Sequence, residues 1–194
     1  MQRVRPITTA IVAVLVAALF CRGSSSAARA ASGEPITDSH AHYGALAIPK
    51  SVQIEHEAIH AALVEATQRS GRVGAAANEL AKVLHPHFVR EEEIALPPLG
   101  LLAPLAAGER PAEAMKIALE MSESLQAELP KMLEEHVKIR AAVEALRAAA
   151  KAEGAIEAER LAEDLALHAK TEEEVLYPAA ILVGMQIRAV AAQE

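Results

Sequence analysis

The chain has 194 residues but only one cysteine, no tryptophan, two tyrosines and two phenylalanines. The cysteine is Cys21, inside an N-terminal segment expected to be removed. The mature part is therefore closed to disulfides, iron–sulfur ligation, cysteine-based zinc sites and c-type haem attachment. Three aromatics remain beyond that segment (Tyr43, Phe88 and Tyr177), so the core has to be built from Leu, Ile, Val and Ala. No β-branched run of strand length follows residue 30. These lacks together leave an all-α protein.

Basic charge is also scarce. There are 19 Lys and Arg against 26 Asp and Glu, which argues against nucleic acid as a partner, since that recognition needs a basic footprint. The chain also lacks an apolar run of the length that spans a bilayer, about 20 residues. The nearest is Ile7–Phe20, apolar except for Thr8 and Thr9, after a basic start at Arg3 and Arg5. That pattern suits a secretory signal, with small residues for cleavage at Ala28-Arg29-Ala30. Residues 1–30 are read as a cleaved signal peptide, giving a secreted or periplasmic protein with no membrane association after cleavage. The alternative is a lipid anchor at Cys21, which the bulky Phe20 before it disfavours because a small residue is usual there. Cleavage removes Arg3, Arg5, Arg22 and Arg29 and no acid. Fifteen basic residues then face 26 acidic ones, a net charge of −11.

What the chain does have is a pattern written twice. Residues 55–98 carry Glu55-His56, then His87-Phe88-Val89-Arg90-Glu91, then Pro97. Residues 135–178 carry Glu135-His136, then His168-Ala169-Lys170-Thr171-Glu172, then Pro178. The His56–His87 and His136–His168 intervals each have the length of a helix, a turn and a second helix. Residues 31–48 read as a flexible lead-in holding His40 and His42, and 49–194 as the bundle domain. Within it, the expected helices are Pro49–Ser70, stopped by Gly71; Val73–Leu96, kinked at Pro86; Leu129–Glu153, stopped by Gly154; and Ala155–Tyr177, ended by Pro178. Leu99–Gly108 is an apolar turn, Pro111–Glu128 a separate helical approach, and Ala179–Ala192 a short terminal helix.

Residues four apart on a helix differ by only about 40° in direction. Val52, His56, Ile59, His60 and Leu63 therefore share a face, as do Leu80, Val83, Leu84, His87, Glu91 and Ile94. The third helix aligns Leu129, Met132, His136, Ile139 and Val143, and the fourth Leu161, Leu165, His168, Glu172 and Val175. Each apolar stripe thus carries imidazole, and two add a carboxylate one turn on. Buried charge is costly unless paired or coordinated, and a metal resolves the cost because it needs neutral imidazoles and ionised carboxylates together. The same angles select Glu91 over Glu92 and Glu93, and Glu172 over Glu173 and Glu174, leaving the extra acids as a solvated face. His85 falls off the stripe. His60 lies on it, either as a fifth imidazole or as a hydrogen-bonding neighbour. Arg140, its counterpart, stays cationic and pairs with an acid near the mouth.

The pattern resembles the hemerythrin-like proteins with the HHE cation-binding domain. The similarity spans roughly residues 50–180 and rests on His56, His87, Glu91, His136, His168 and Glu172. It implies an up-down-up-down four-helix bundle holding two non-haem irons. The two carboxylates would bridge the metals, the imidazoles would be terminal ligands, and an oxo or hydroxo group would complete the bridge. Oxygen-carrying members have a second histidine where this chain has Arg140. Six protein ligands, even with both carboxylates counted twice, cannot fill two octahedra. Open positions for dioxygen, peroxide or nitric oxide are expected. No general base, nucleophile or substrate pocket is evident beside them, which favours binding, sensing or iron buffering. The alternatives are a di-iron oxidase or peroxide-reducing enzyme, and a bundle merely stapled by metal. Ferritin-like oxidases want Glu-x-x-His on two helices, and only Glu57-Ala58-Ile59-His60 matches.

Overall fold

A computed structural model describes residues 46–193. The signal segment, Cys21, His40, His42 and Tyr43 lie outside the described residues. Among those described there is helix and turn but no strand. The elements are α1 (Lys50–Thr67), α2 (Gly71–Arg90), a π turn (Glu91–Ala95), a 3-10 turn (Pro97–Leu101), α3 (Leu102–Ala106), α4 (Ala112–Glu153), α5 (Ile156–Thr171), a second π turn (Glu172–Leu176) and α6 (Tyr177–Ala191). Helices α1, α2, α4 and α5 pack in a closed ring, each against its sequence neighbours and α1 against α5. This is a helical bundle.

The two hairpins are closed by short links. Gly71 does not stop the first helix as the sequence suggests. It opens α2 in the left-handed region, with φ 86°, and Glu153 from the far end of α4 accepts the exposed backbone N–H of Arg72 at 2.6 Å. A carboxylate at a helix N-terminus meets unpaired donors and the positive end of the dipole. Gly154 ends α4 with φ 63°, as expected of a C-terminal glycine.

The expected break between 111–128 and 129–153 does not occur: α4 runs unbroken through Pro130 for 42 residues. A buried stripe of Ala114, Ala118, Met121, Leu125, Met132, His136, Ile139 and Val143 continues across the proline. Packing along that stripe outweighs the one hydrogen bond lost, a cost of about 3 kcal/mol. The N-terminal part of α4 lies against α6, where Ser122 donates to the Ala180 carbonyl at 2.8 Å. Gly184 permits this approach, since a Cβ there would sit 2.6 Å from that of Ser122. Leu46, assigned by sequence to the lead-in, is buried with Leu101, Ala118 and Val183 in that core.

The histidine-bearing level is sandwiched between two apolar layers. Ile59, Leu63, Leu84, Ile139 and Leu165 lie on the side of the hairpin turns. Val52, Ile94, Leu96, Leu125, Met132 and Tyr177 lie on the other.

Candidate metal centre

Both π turns start at a glutamate that the repeat singles out. The N–H of Leu96 reaches back to the Glu91 carbonyl and that of Tyr177 to the Glu172 carbonyl, i→i−5 in each case. The next residues, Pro97 and Pro178, have no N–H with which to prolong this ladder. The residue five places on, Leu96 in the first hairpin and Tyr177 in the second, is buried in each case, and the two turns differ between them, for Ile94 stays buried where its counterpart does not. Val175, expected on the buried face, is 55% exposed, and Tyr177 is fully buried in its stead. Such π bulges are frequent at functional sites.

The buried polar or charged side chains among the described residues are His56, His87, Glu91, His136, His168, Glu172 and Ser122, each 4% exposed or less. Six of these seven are the residues selected from the sequence. They form two groups, His56–Glu91–His168–Glu172 and His87–Glu91–His136–Glu172, in which one donor atom per residue lies within 4.8 Å of every other. Both glutamates belong to both groups. The Nε2 atoms of His87 and His136 are 2.8 Å apart, and His168 Nε2 is 2.8 Å from Glu172 Oε1. The latter two atoms face each other without hydrogen-bond geometry. With both nitrogens of His56 and Oε2 of Glu91, they are buried polar atoms with no hydrogen-bond partner. Of these, one nitrogen each of His56 and His168 and one oxygen each of Glu91 and Glu172 belong to the clustered groups; leaving them unpaired costs several kcal/mol in sum, and a shared cation fits them.

Behind each imidazole stands a second carboxylate, and these were not picked out by the sequence. Nδ1 of His87 donates to Glu135 at 2.9 Å, of His136 to Glu173 at 2.8 Å, and of His168 to Glu55 at 3.2 Å. Glu92 lies 3.7 Å from Nδ1 of His56. A carboxylate on Nδ1 fixes ring orientation and leaves the Nε2 lone pair facing inward, as metal-binding histidines require. Glu92 and Glu173 are thus not simply a solvated face. Their signal was present in the repeat, as Glu-His in the first helix of each hairpin and Glu-Glu after each His-x-x-x. The expected pairing of Arg140 with an acid is seen: its guanidinium binds Glu173. His60 and His85 are exposed and line a groove between α1 and α2, outside both groups.

Tyr177 is the other residue missed. Its hydroxyl donates to Glu91 Oε1 and lies 3.2 Å from His136 Nε2 and 3.4 Å from His87 Nε2. On the other side Phe88 stacks on His56 with ring centres 4.4 Å apart.

The chain is matched over residues 50–180 by the family model of the hemerythrin HHE cation-binding domain. It belongs to the hemerythrin HHE family. No curated protein and no solved structure matches it.

The electrostatics of this hemerythrin-like cluster are those of crowded opposite charges. Burial works to lower the pKa of His56 and His87, but Glu172 and Glu92 around the first, and Glu91 and Glu135 around the second, push each up to about 9. His168 is raised too, Glu172 overcoming its burial, whereas burial prevails at His136 and lowers it. Burial and the negative Glu172 raise Glu91, whereas His168 and His56 override burial to hold Glu172 down. Burial, then Glu91 and Glu172, keep the Tyr177 phenol protonated. A divalent or trivalent cation would take over the role these protons play.

Proposed function

We propose that this protein holds two iron ions, one in each four-residue group, and binds dioxygen or a related small ligand such as peroxide or nitric oxide, or senses or buffers iron. The observation that carries this is the sharing of Glu91 and Glu172 by both groups. A carboxylate has two oxygens, so two shared carboxylates tie two cations where unshared ones would tie one. Mixed imidazole and carboxylate donors suit iron, with manganese and zinc as weaker fits. Bound iron would supply reversible binding of a small ligand at positions the protein leaves free.

The remaining roles belong to the chain. His56 and His168 cap one side and His87 and His136 the other. Glu55, Glu135 and Glu173 hold three of these rings in the tautomer that faces inward. The apolar layers above and below keep bulk water from the cluster. The signal-like N-terminus supports export, so secreted or periplasmic iron is the supply this reading requires. Metal analysis of the purified chain should give two irons per chain; one or none overturns the reading. Reduced protein mixed with oxygen in a stopped-flow cell separates carrier from enzyme. A persistent, reversible absorbance change supports ligand binding, whereas immediate irreversible oxidation supports a di-iron oxidase or peroxide-reducing enzyme.

A further inference from the structure

The repeat maps each position of the first hairpin onto the second at an offset of 80 or 81 residues. The surroundings of the two groups break this correspondence in two independent places. Beside His87 and His136 stands Tyr177, fully buried, its hydroxyl against both Nε2 atoms and bonded to Glu91. The corresponding residue in the first hairpin is Leu96, which has no polar atom to offer. Beside His56 and His168 stands Phe88, stacked on the first ring and edge-on to the second at 5.8 Å. Its counterpart is Ala169.

The outer face differs in the same sense. Between α1 and α2 lies a groove of about 270 Å³, where Val64, Thr67, Ala81 and Phe88 line the wall together with polar residues that include His60 and His85. A water molecule takes about 30 Å³ of liquid, so the groove admits any diatomic or triatomic molecule. Between α4 and α5 the position matching Thr67 is Arg147. Its guanidinium crosses to the carbonyl of Ala162, the residue matching Ala81, at 3.4 Å. An arginine thus spans the place where the first hairpin is open.

We propose that the centre exchanges its small ligand on one side only, at the His56–His168 group, through the α1–α2 groove and past the Phe88 ring, while the Tyr177 hydroxyl closes the His87–His136 group. This rests on the di-iron reading above. The phenol oxygen occupies the space against both Nε2 atoms that an incoming ligand would need. The Phe88 ring bonds to nothing at the centre and can yield by a change of rotamer.

The test uses iron-loaded, oxidised full-length protein and azide as probe, with rates and stoichiometry referred to bound iron. Val64→Trp should slow azide association roughly tenfold, and Ala81→Phe, filling the groove from the other helix, should do the same. Glu144→Trp, the mirror of Val64→Trp on the α4–α5 side, should leave the rate as it was. Tyr177→Phe should raise binding from one azide per iron pair to two. Equal slowing by the two tryptophan variants overturns the proposal, as does a single azide per pair in Tyr177→Phe or an undiminished rate in both groove variants. A chain that takes up no iron fails earlier, at the metal analysis, and overturns the di-iron reading itself. Symmetric rates on a loaded chain overturn only the sidedness.

Discussion

The first hairpin (α1–α2) and the second (α4–α5) contribute the same chemistry and wrap it differently. Each supplies an imidazole from its first helix, an imidazole and a glutamate from its second, a π turn beginning at that glutamate, and a proline to end the turn. Around this common frame the first hairpin places Leu96, Phe88 and an open groove, and the second Tyr177, Ala169 and Arg147. The outer carboxylates differ as well. Glu173 is 28% exposed, hydrogen-bonded to His136 and braced by Arg140, while Glu92 is 44% exposed and stands off from His56. Duplication thus fixes which residues face the centre, and divergence of the neighbours fixes what else can reach it.

Removing a shared residue should do far more than removing an unshared one. Glu172→Ala strips one donor from both groups, so metal content should fall to near zero and the melting temperature should drop with it. His56→Ala touches one group alone, and about half the metal should remain. Equal loss in the two variants, measured by metal analysis, would break the two-group description. Next in size are the outer carboxylates. Glu173→Gln should weaken metal binding about 10–100-fold, as loss of such a partner does elsewhere. Glu92→Gln should cost less, because its contact is longer. Competition with a chelator reads both, and the opposite order would show that the bracing by Arg140 is unimportant.

The pH dependence has two signs. In metal-free protein, His56 and His87 hold protons up to about pH 9, above the ordinary 6.5. Their contribution to folding is full below about pH 6.5 and lost as pH rises through 9. Metal needs the neutral rings, so apparent affinity should rise over the same window. Chemical denaturation of apo protein and metal titration at several pH values check the two slopes; parallel slopes would refute the assignment. The smallest effect is expected at Arg90, which clasps Glu128 on α4 with Nε at 3.0 Å and has Thr171 as its counterpart. Arg90→Ala should cost about 0.2–1 kcal/mol, less in high salt, as read by urea denaturation.

The six central residues were legible because burial and repetition constrain them together: an imidazole on a leucine stripe is conspicuous, and the same one 80 residues later more so. The helices were legible from the same stripes. What the sequence hid depends on tertiary competition. Pro130 reads as a break when taken locally, yet a continuous buried stripe carries α4 through it. Tyr177 is about 140° from Glu172 on an α-helix, and only the wider π turn brings it round to the centre. Glu55 and Glu135 sit beside ligand-type histidines in the chain, but their partners are His168 and His87 on other helices. No helical wheel reveals a contact of that kind.

The carboxylates standing at the back of the imidazoles carry a consequence for traffic in and out of the interior. Glu55, Glu92, Glu135 and Glu173 each present one edge to solvent while the ring beside them is enclosed. The proton that has to leave when a cation arrives is the one on the inward nitrogen, because the nitrogen facing the acid keeps its hydrogen bond. The outer acids stay in place through that exchange, and their charge, held at the solvent edge, offsets the charge the cation brings without the helices having to part.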